Sequence, residues 1–153
     1  MLSLNQKIKV MNTLDTRDLI EERDELKSQI LDDFNEKFNA EVEIYEDIDD
    51  FMDDFNCETD DQDGFFEYWE EEISTIEEIN KLEDEVYNGE FESGTTLIEE
   101  KDFTEYAQVF LEDCGYISRD FPTWIVIDWD ETADNVKQDY SEVEYRGTTY
   151  LYR

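Results

Sequence analysis

No histidine occurs among the 153 residues, which removes the commonest general base at neutral pH and the commonest metal ligand. Ser-His-Asp and Cys-His nucleophile arrangements go with it. The two cysteines, Cys57 and Cys114, cannot complete an ordinary four-ligand zinc site without histidine. They read as free thiols of a reducing cytoplasm, each behaving as a small buried apolar residue. One proline and five glycines leave no low-complexity linker and no glycine-rich phosphate loop, Glu92-Ser93-Gly94 being only a turn. No run approaches the roughly 20 apolar residues of a membrane span, and Met1 to Asp15 holds no apolar stretch long enough for a signal peptide. Positive charge is scarce as well. Twelve basic residues face 46 acidic ones, so phosphate contacts lack the cations they need, and both direct nucleic-acid binding and attachment to anionic lipid are disfavoured. Carboxylate pairs abound, yet 46 candidates single out no glycosidase pair, and the chain reads as a non-enzyme without a cofactor.

What is present is a folding composition under an unusual charge. A net charge of −34 alone describes a disordered tail, but 39% hydrophobic and 14% aromatic residues describe a chain that collapses around a core. Folding then works against self-repulsion. Solubility asks for a net charge of only about 2–8 in a small domain, so the excess requires another explanation. Duplex DNA carries one charge per about 1.7 Å, so 34 charges match roughly 17 base pairs, or about 58 Å of duplex. That is the scale of a partner built to grip DNA.

Along the chain, Leu19, Ile20, Leu26, Ile30, Leu31, Phe34 and Phe38 recur at helical spacing and predict one helix over 16–38, capped by Asp15 or Thr16. Its charge is mixed, with Arg17, Arg23, Lys27 and Lys37, as on an ordinary solvated face. Residues 38–80 hold 18 acidic residues and no basic one. Two amphipathic helices are expected there, joined around Asp60–Gly64. One carries Ile44, Ile48, Phe51, Met52 and Phe55; the other carries Phe65, Phe66, Trp69, Ile73 and Ile76 and continues through Leu82 and Val86. Asn88, Gly89, Ser93 and Gly94 mark a break. Beyond it, Asp102 with Glu105, and Asp128 with Glu131, stand at capping-box spacing before two further helices, the first ended by Gly115. Trp124–Ile127 reads as a short buried strand. Ser141–Arg146 and Thr148–Arg153 read as two strands turning near Gly147. The class is α+β and mostly helical: acidic amphipathic helices in 1–90, then an α+β region in 95–153 with a small antiparallel sheet.

In 41–63, 12 of 23 residues are acidic; as a helix the stretch would present one carboxylate per about 2.9 Å, against one phosphate per about 3.4 Å along a DNA strand. The carboxylates that suit phosphate mimicry are Glu46, Asp47, Asp49, Asp50, Asp53, Asp54, Glu58, Asp60, Asp61, Asp63, Glu67, Glu70, Glu71, Glu77 and Glu78. The rival reading is an acidic interaction module or weak calcium-binding loop at 59–70. There Asp61, Asp63, Gly64, Phe66, Glu67 and Glu70 fill EF-hand positions 3, 5, 6, 8, 9 and 12, while position 1 is Thr59. An acidic turn around Gly64 is the simpler account of that match, and no metal ligand is assigned.

The segment LIEEKDFTEYAQVFLEDCGYI (Leu97–Ile117), followed by WIVIDWDETADNVKQDYSEVEYRGTTYLYR (Trp124–Arg153), resembles the C-terminal part of ArdA-type antirestriction proteins. Ile127-Asp128-Trp129, Asp139-Tyr140, Val143, Gly147, Thr149-Tyr150 and Arg153 carry the likeness. It implies a dimeric DNA mimic from a phage or mobile element, acting in the cytoplasm of a bacterial host. The implied partner is a type I restriction-modification enzyme with a basic DNA-binding groove; for the acidic helices of 1–94, which the likeness does not cover, a CRISPR-type enzyme is the alternative partner.

Overall fold

Asp15 ends the first strand and starts the first helix. A computed structural model describes residues 11–43, 62–86 and 89–153. β1 (Thr13–Asp15) runs directly into α1 (Thr16–Phe38). Asp15 Oδ1 accepts the Arg17 backbone N–H at 2.9 Å and so acts as the cap, while the Arg17 guanidinium closes on the same carboxylate at 2.6 Å. That hydrogen bond holds the Asp15 carboxyl below the usual carboxylate range, against a smaller opposing effect of burial. Thr16, the other cap candidate, is fully buried instead. Its hydroxyl donates to the Phe91 carbonyl at 2.7 Å and accepts the Thr95 N–H at 2.8 Å.

The chain forms two units: the described residues up to Arg17 with Glu85–Arg153, and Asp18–Asp84. In the first, four antiparallel strands stand in the order β1-β2-β4-β3, with β2 (Thr96–Glu99), β3 (Ser141–Tyr145) and β4 (Thr148–Tyr152). The expected hairpin is present. Arg146 and Gly147 both have positive φ, 49° and 73°, giving the two-residue turn whose twist matches the strands. β1 and β2 were not foreseen, and they move the division of the chain. A lone hairpin is marginal, and β4 completes its hydrogen bonding on β2, which pairs in turn with β1. The N-terminal strand therefore belongs with the C-terminal unit rather than with a region 1–90.

Ile98 and Leu151, opposite each other on one sheet face, pack with Phe103, Ala107 and Ala133 from α4 (Phe103–Asp113) and α5 (Trp129–Lys137). The other face buries Leu97, Val143, Tyr145 and Tyr152, and the Tyr152 hydroxyl donates to the Glu85 carbonyl at 3.2 Å. Gly94 has φ +107°, a backbone conformation that favours glycine; a Cβ there would also meet the Arg17 side chain, which is exposed and can move aside.

The helix caps divide between expectation and correction. Asp128 caps α5 through the Glu131 N–H at 3.0 Å. Asp102 makes no side-chain cap on α4; its carboxylate accepts the Asn12 N–H at 3.1 Å, which anchors the chain entering β1. Gly115 ends α4 in a Schellman arrangement, with Gly115 N–H on the Glu112 carbonyl and Tyr116 N–H on the Leu111 carbonyl. Trp124–Ile127 is not a buried strand. The Ile125 N–H bonds the Pro122 carbonyl at 2.9 Å, a turn that withdraws the run from the sheet and leaves Trp124 79% and Val126 90% exposed. Cys114 is a free, exposed thiol rather than a core residue.

Beside the α4–α5 core, the Tyr106 and Tyr140 hydroxyls meet at 3.1 Å. Burial first, and the Tyr140 hydroxyl second, push the Tyr106 phenol well above its ordinary value of 10.0. A group raised in the folded state contributes stability below its unfolded pKa and loses it as pH rises above that value. The unfolding free energy from urea titration is therefore expected to fall above about pH 10, by up to about 1 kcal/mol per pH unit after allowing for partial exposure, and Tyr106→Phe to flatten that decline. Equal slopes for the two proteins would contradict the assignment.

Candidate functional site

The second unit is where the charge is concentrated. Asp18–Asp84 holds 28 acidic and 4 basic residues, a net of −24, against −10 for the remainder of the chain. Its core explains how such a sequence stays folded. Ile30 and Phe34 of α1 pack on Phe65 of α2 (Gln62–Tyr68) and on Ile73 and Ile76 of α3 (Glu70–Glu85). The aromatic rings lock edge to face, with Phe34 and Phe65 centroids 5.4 Å apart. At the end of α1, Asn39 adopts φ +51° and the Asn35 side chain makes paired bonds to the Val42 backbone at 3.0 and 2.7 Å.

α3 shows the arrangement most plainly. Ile73, Ile76, Ile79 and Leu82 form its buried stripe, while Glu70, Glu71, Glu77, Glu78 and Asp84 are exposed on the remaining surface. Acids in the first turn suit the positive end of the helix dipole. The last turn contains Glu83, Asp84 and Glu85 and no basic residue, an arrangement the dipole disfavours by about 0.3–1 kcal/mol per charge. Like charges at i, i+4 oppose the helix by about 0.2–0.5 kcal/mol per pair. Burial of four branched side chains, each contributing about 1.5–3 kcal/mol, outweighs both effects. Glu70, Glu77 and Asp84 recur every seven residues, about 10.5 Å along the axis, close to three phosphate steps of about 3.4 Å on one DNA strand.

Of the carboxylates selected from sequence, Glu67, Glu70, Glu71, Glu77 and Glu78 are all exposed on α2 and α3, and Asp63 lies within α2. Glu46, Asp47, Asp49, Asp50, Asp53, Asp54, Glu58, Asp60 and Asp61 lie outside the described residues, as do Cys57 and the helix expected from Ile44 to Phe55. Gly64, expected at the junction with the preceding helix, is inside α2, and the single helix expected from Phe65 through Val86 is broken at Trp69 into α2 and α3; the rest of that junction, Asp60 and Asp61, lies outside the described residues. The calcium-loop match at 59–70 overlaps α2. Residues 62–68 are helical, which is not the extended turn that part of an EF-hand loop adopts, and residues 59–61 lie outside the described residues. Among the described residues no group of three or more acidic or thiol side chains is placed to hold a metal ion.

Sequence reasoning passed over the acids of α1 because basic residues are interspersed there. The structure accounts for two of those cations. The Arg23 side chain is only 14% exposed and turns onto Glu83 at 2.5 Å and Asn80 at 2.9 Å of α3. The Lys37 ammonium sits over the Phe65 ring, 5.6 Å from its centroid. Asp18, Glu21, Glu22, Asp24, Glu25, Asp32 and Glu36 are left exposed on α1. The usable signal was the spacing of Arg23, four residues after Leu19 and seven before Ile30, which places it beside the apolar stripe.

Among the described residues, no helix is long and apolar enough to cross a membrane. No family model, curated protein or solved structure matches the chain.

Proposed function

We propose that this protein is a DNA mimic that inhibits a host DNA-binding defence enzyme, most specifically a type I restriction-modification enzyme in the bacterial cytoplasm. Its exposed carboxylates take the place of phosphates in a basic groove. The observation that carries this reading is the −24 unit, whose helices keep acids exposed even where the helix dipole disfavours them. A binding inhibitor of this kind needs no catalytic group and no cofactor. The ArdA-like ending supports the same function and a homodimer. Tyr116, Trp124, Ile125 and Val126 are exposed, and segment 114–127 contains a single Arg119 and a single Asp120, so two acidic copies would meet where charge is lowest.

Competition tests it. Titrating the protein into a type I restriction-modification enzyme bound to labelled DNA is expected to displace the DNA stoichiometrically. The inhibition constant should rise at least about tenfold between 50 and 200 mM salt, since charge neutralisation drives the contact. Failure to displace DNA at either salt concentration would remove this class of target.

A further inference from the structure

One groove in the acidic unit differs from the open helix faces. Asp32, Asp33 and Glu36 of α1 line one wall; Tyr68 and Trp69, at the α2–α3 junction, line the other; the volume is about 410 Å³. The Trp69 indole N–H donates to Asp33 Oδ2 at 2.8 Å, which fixes the ring against α1. Tyr68 meets Trp69 edge to face at 5.3 Å yet is 72% exposed, so its ring face is open to solvent. Lys37 is the one basic residue on the lining, and its ammonium is held over Phe65 rather than paired with these carboxylates. That is unlike the pairings elsewhere, Arg17 with Asp15, Arg23 with Glu83, Lys101 with Glu99 and Lys137 with Glu100.

We infer that this groove is a cradle for a guanidinium group, an arginine side chain supplied by the partner protein. The identity of that partner rests on the DNA-mimic reading above. The two walls together select the ligand. Carboxylates on one wall and an open aromatic face on the other match a planar cation that both hydrogen-bonds in its plane and stacks on its face. Lysine offers a point charge with neither property, and so gains only the general attraction that every acidic face of this protein provides. Proteins that grip DNA phosphates do so largely with arginine and lysine, and this groove would discriminate between the two.

Trp69 is the reporter. The full-length protein, labelled with 15N at its tryptophans, is titrated with triarginine and separately with trilysine at equal ionic strength. The Trp69 indole signal is assigned from Trp69→Phe. A saturable shift of that signal, at least about threefold tighter for triarginine, is expected, with the preference lost in Tyr68→Ala. Tyr68 is exposed, so this variant should keep the wild-type far-UV spectrum; Asp32→Asn provides a second test and should weaken triarginine binding. Equal response to both peptides, or an arginine preference that survives Tyr68→Ala, would overturn the cradle. The outcome separates from that of the DNA-mimic reading. A protein that displaces DNA but shows no arginine preference lacks the cradle alone, and one with the preference that displaces no DNA has the cradle and lacks the proposed target.

Discussion

Replacing Glu70, Glu71, Glu77 and Glu78 together by glutamine is expected to weaken displacement of DNA from the target enzyme by roughly ten- to a hundredfold, while raising the melting temperature. The two effects have opposite signs, and that makes the experiment decisive. All four side chains are exposed on α3, away from the Ile73, Ile76, Ile79 and Leu82 stripe, so the core is untouched. Glutamine keeps the shape and nearly the helix propensity of glutamate, so the change is one of charge. Each exposed charge pair contributes about 0.2–1 kcal/mol, so four lost together correspond to one to two orders of magnitude in affinity. Any one substitution should change affinity by no more than about fivefold. Stability moves the other way because four like charges leave a unit carrying −24, and the relief of repulsion exceeds the about 0.3–1 kcal/mol that Glu70 and Glu71 each contribute at the positive end of the helix dipole. A quadruple variant that inhibits as well as wild type would show that α3 does not face the enzyme. A single substitution that abolishes inhibition without unfolding would replace distributed charge with a specific contact.

Most of the α+β architecture was legible in the sequence, for identifiable reasons. α1 matched its expected limits because apolar residues recur at helical spacing over six turns and the acidic Asp15 precedes them. The β3–β4 hairpin and the Gly115 terminus were legible because each depends on a few adjacent residues. What failed was long-range. β1 and β2 are only three and four residues long, and nothing local marks them; they exist because β4 offers an edge to β2 and β2 offers one to β1. Asp102 carried a capping signal, yet Asn12, ninety residues away in sequence, takes its carboxylate. Trp124–Ile127 looked buried by hydropathy, whereas the Pro122 turn exposes it.

Of the candidate site, residue type was legible and local geometry was not. Glu67 of α2 and Glu70, Glu71, Glu77 and Glu78 of α3 are exposed because a helix with one apolar stripe has nowhere else to place them. The groove between α1 and Trp69 was hidden. It forms where Trp69 docks on α1 through Asp33, a contact between residues 36 apart in sequence, and where Lys37 turns to Phe65.

Phe34→Ala is expected to be the most damaging single change in the acidic unit, costing about 3–5 kcal/mol. Phe34 is 1% exposed and touches Phe38 and Phe65, with ring centroids 4.7 and 5.4 Å away. Removing it leaves a cavity at the point where α1 and α2 share a core. The consequence is larger here than in a neutral domain, because this core holds together a body of 28 acidic residues. Mutual repulsion among them depends on salt, whereas the cavity does not. At about 0.01 M salt the Debye length of about 30 Å lets charges repel across the whole unit; at about 1 M it shrinks to about 3 Å. Phe34→Ala should therefore be substantially unfolded at low salt by far-UV circular dichroism and recover helix as salt is added. Tyr68→Ala, at an exposed ring, should remain within about 0.5 kcal/mol of wild type at both concentrations. If Phe34→Ala is equally folded at both, with a urea midpoint near wild type, then Phe34 does not secure the acidic unit. Burial would then not be what allows this sequence to hold its charge in a folded form.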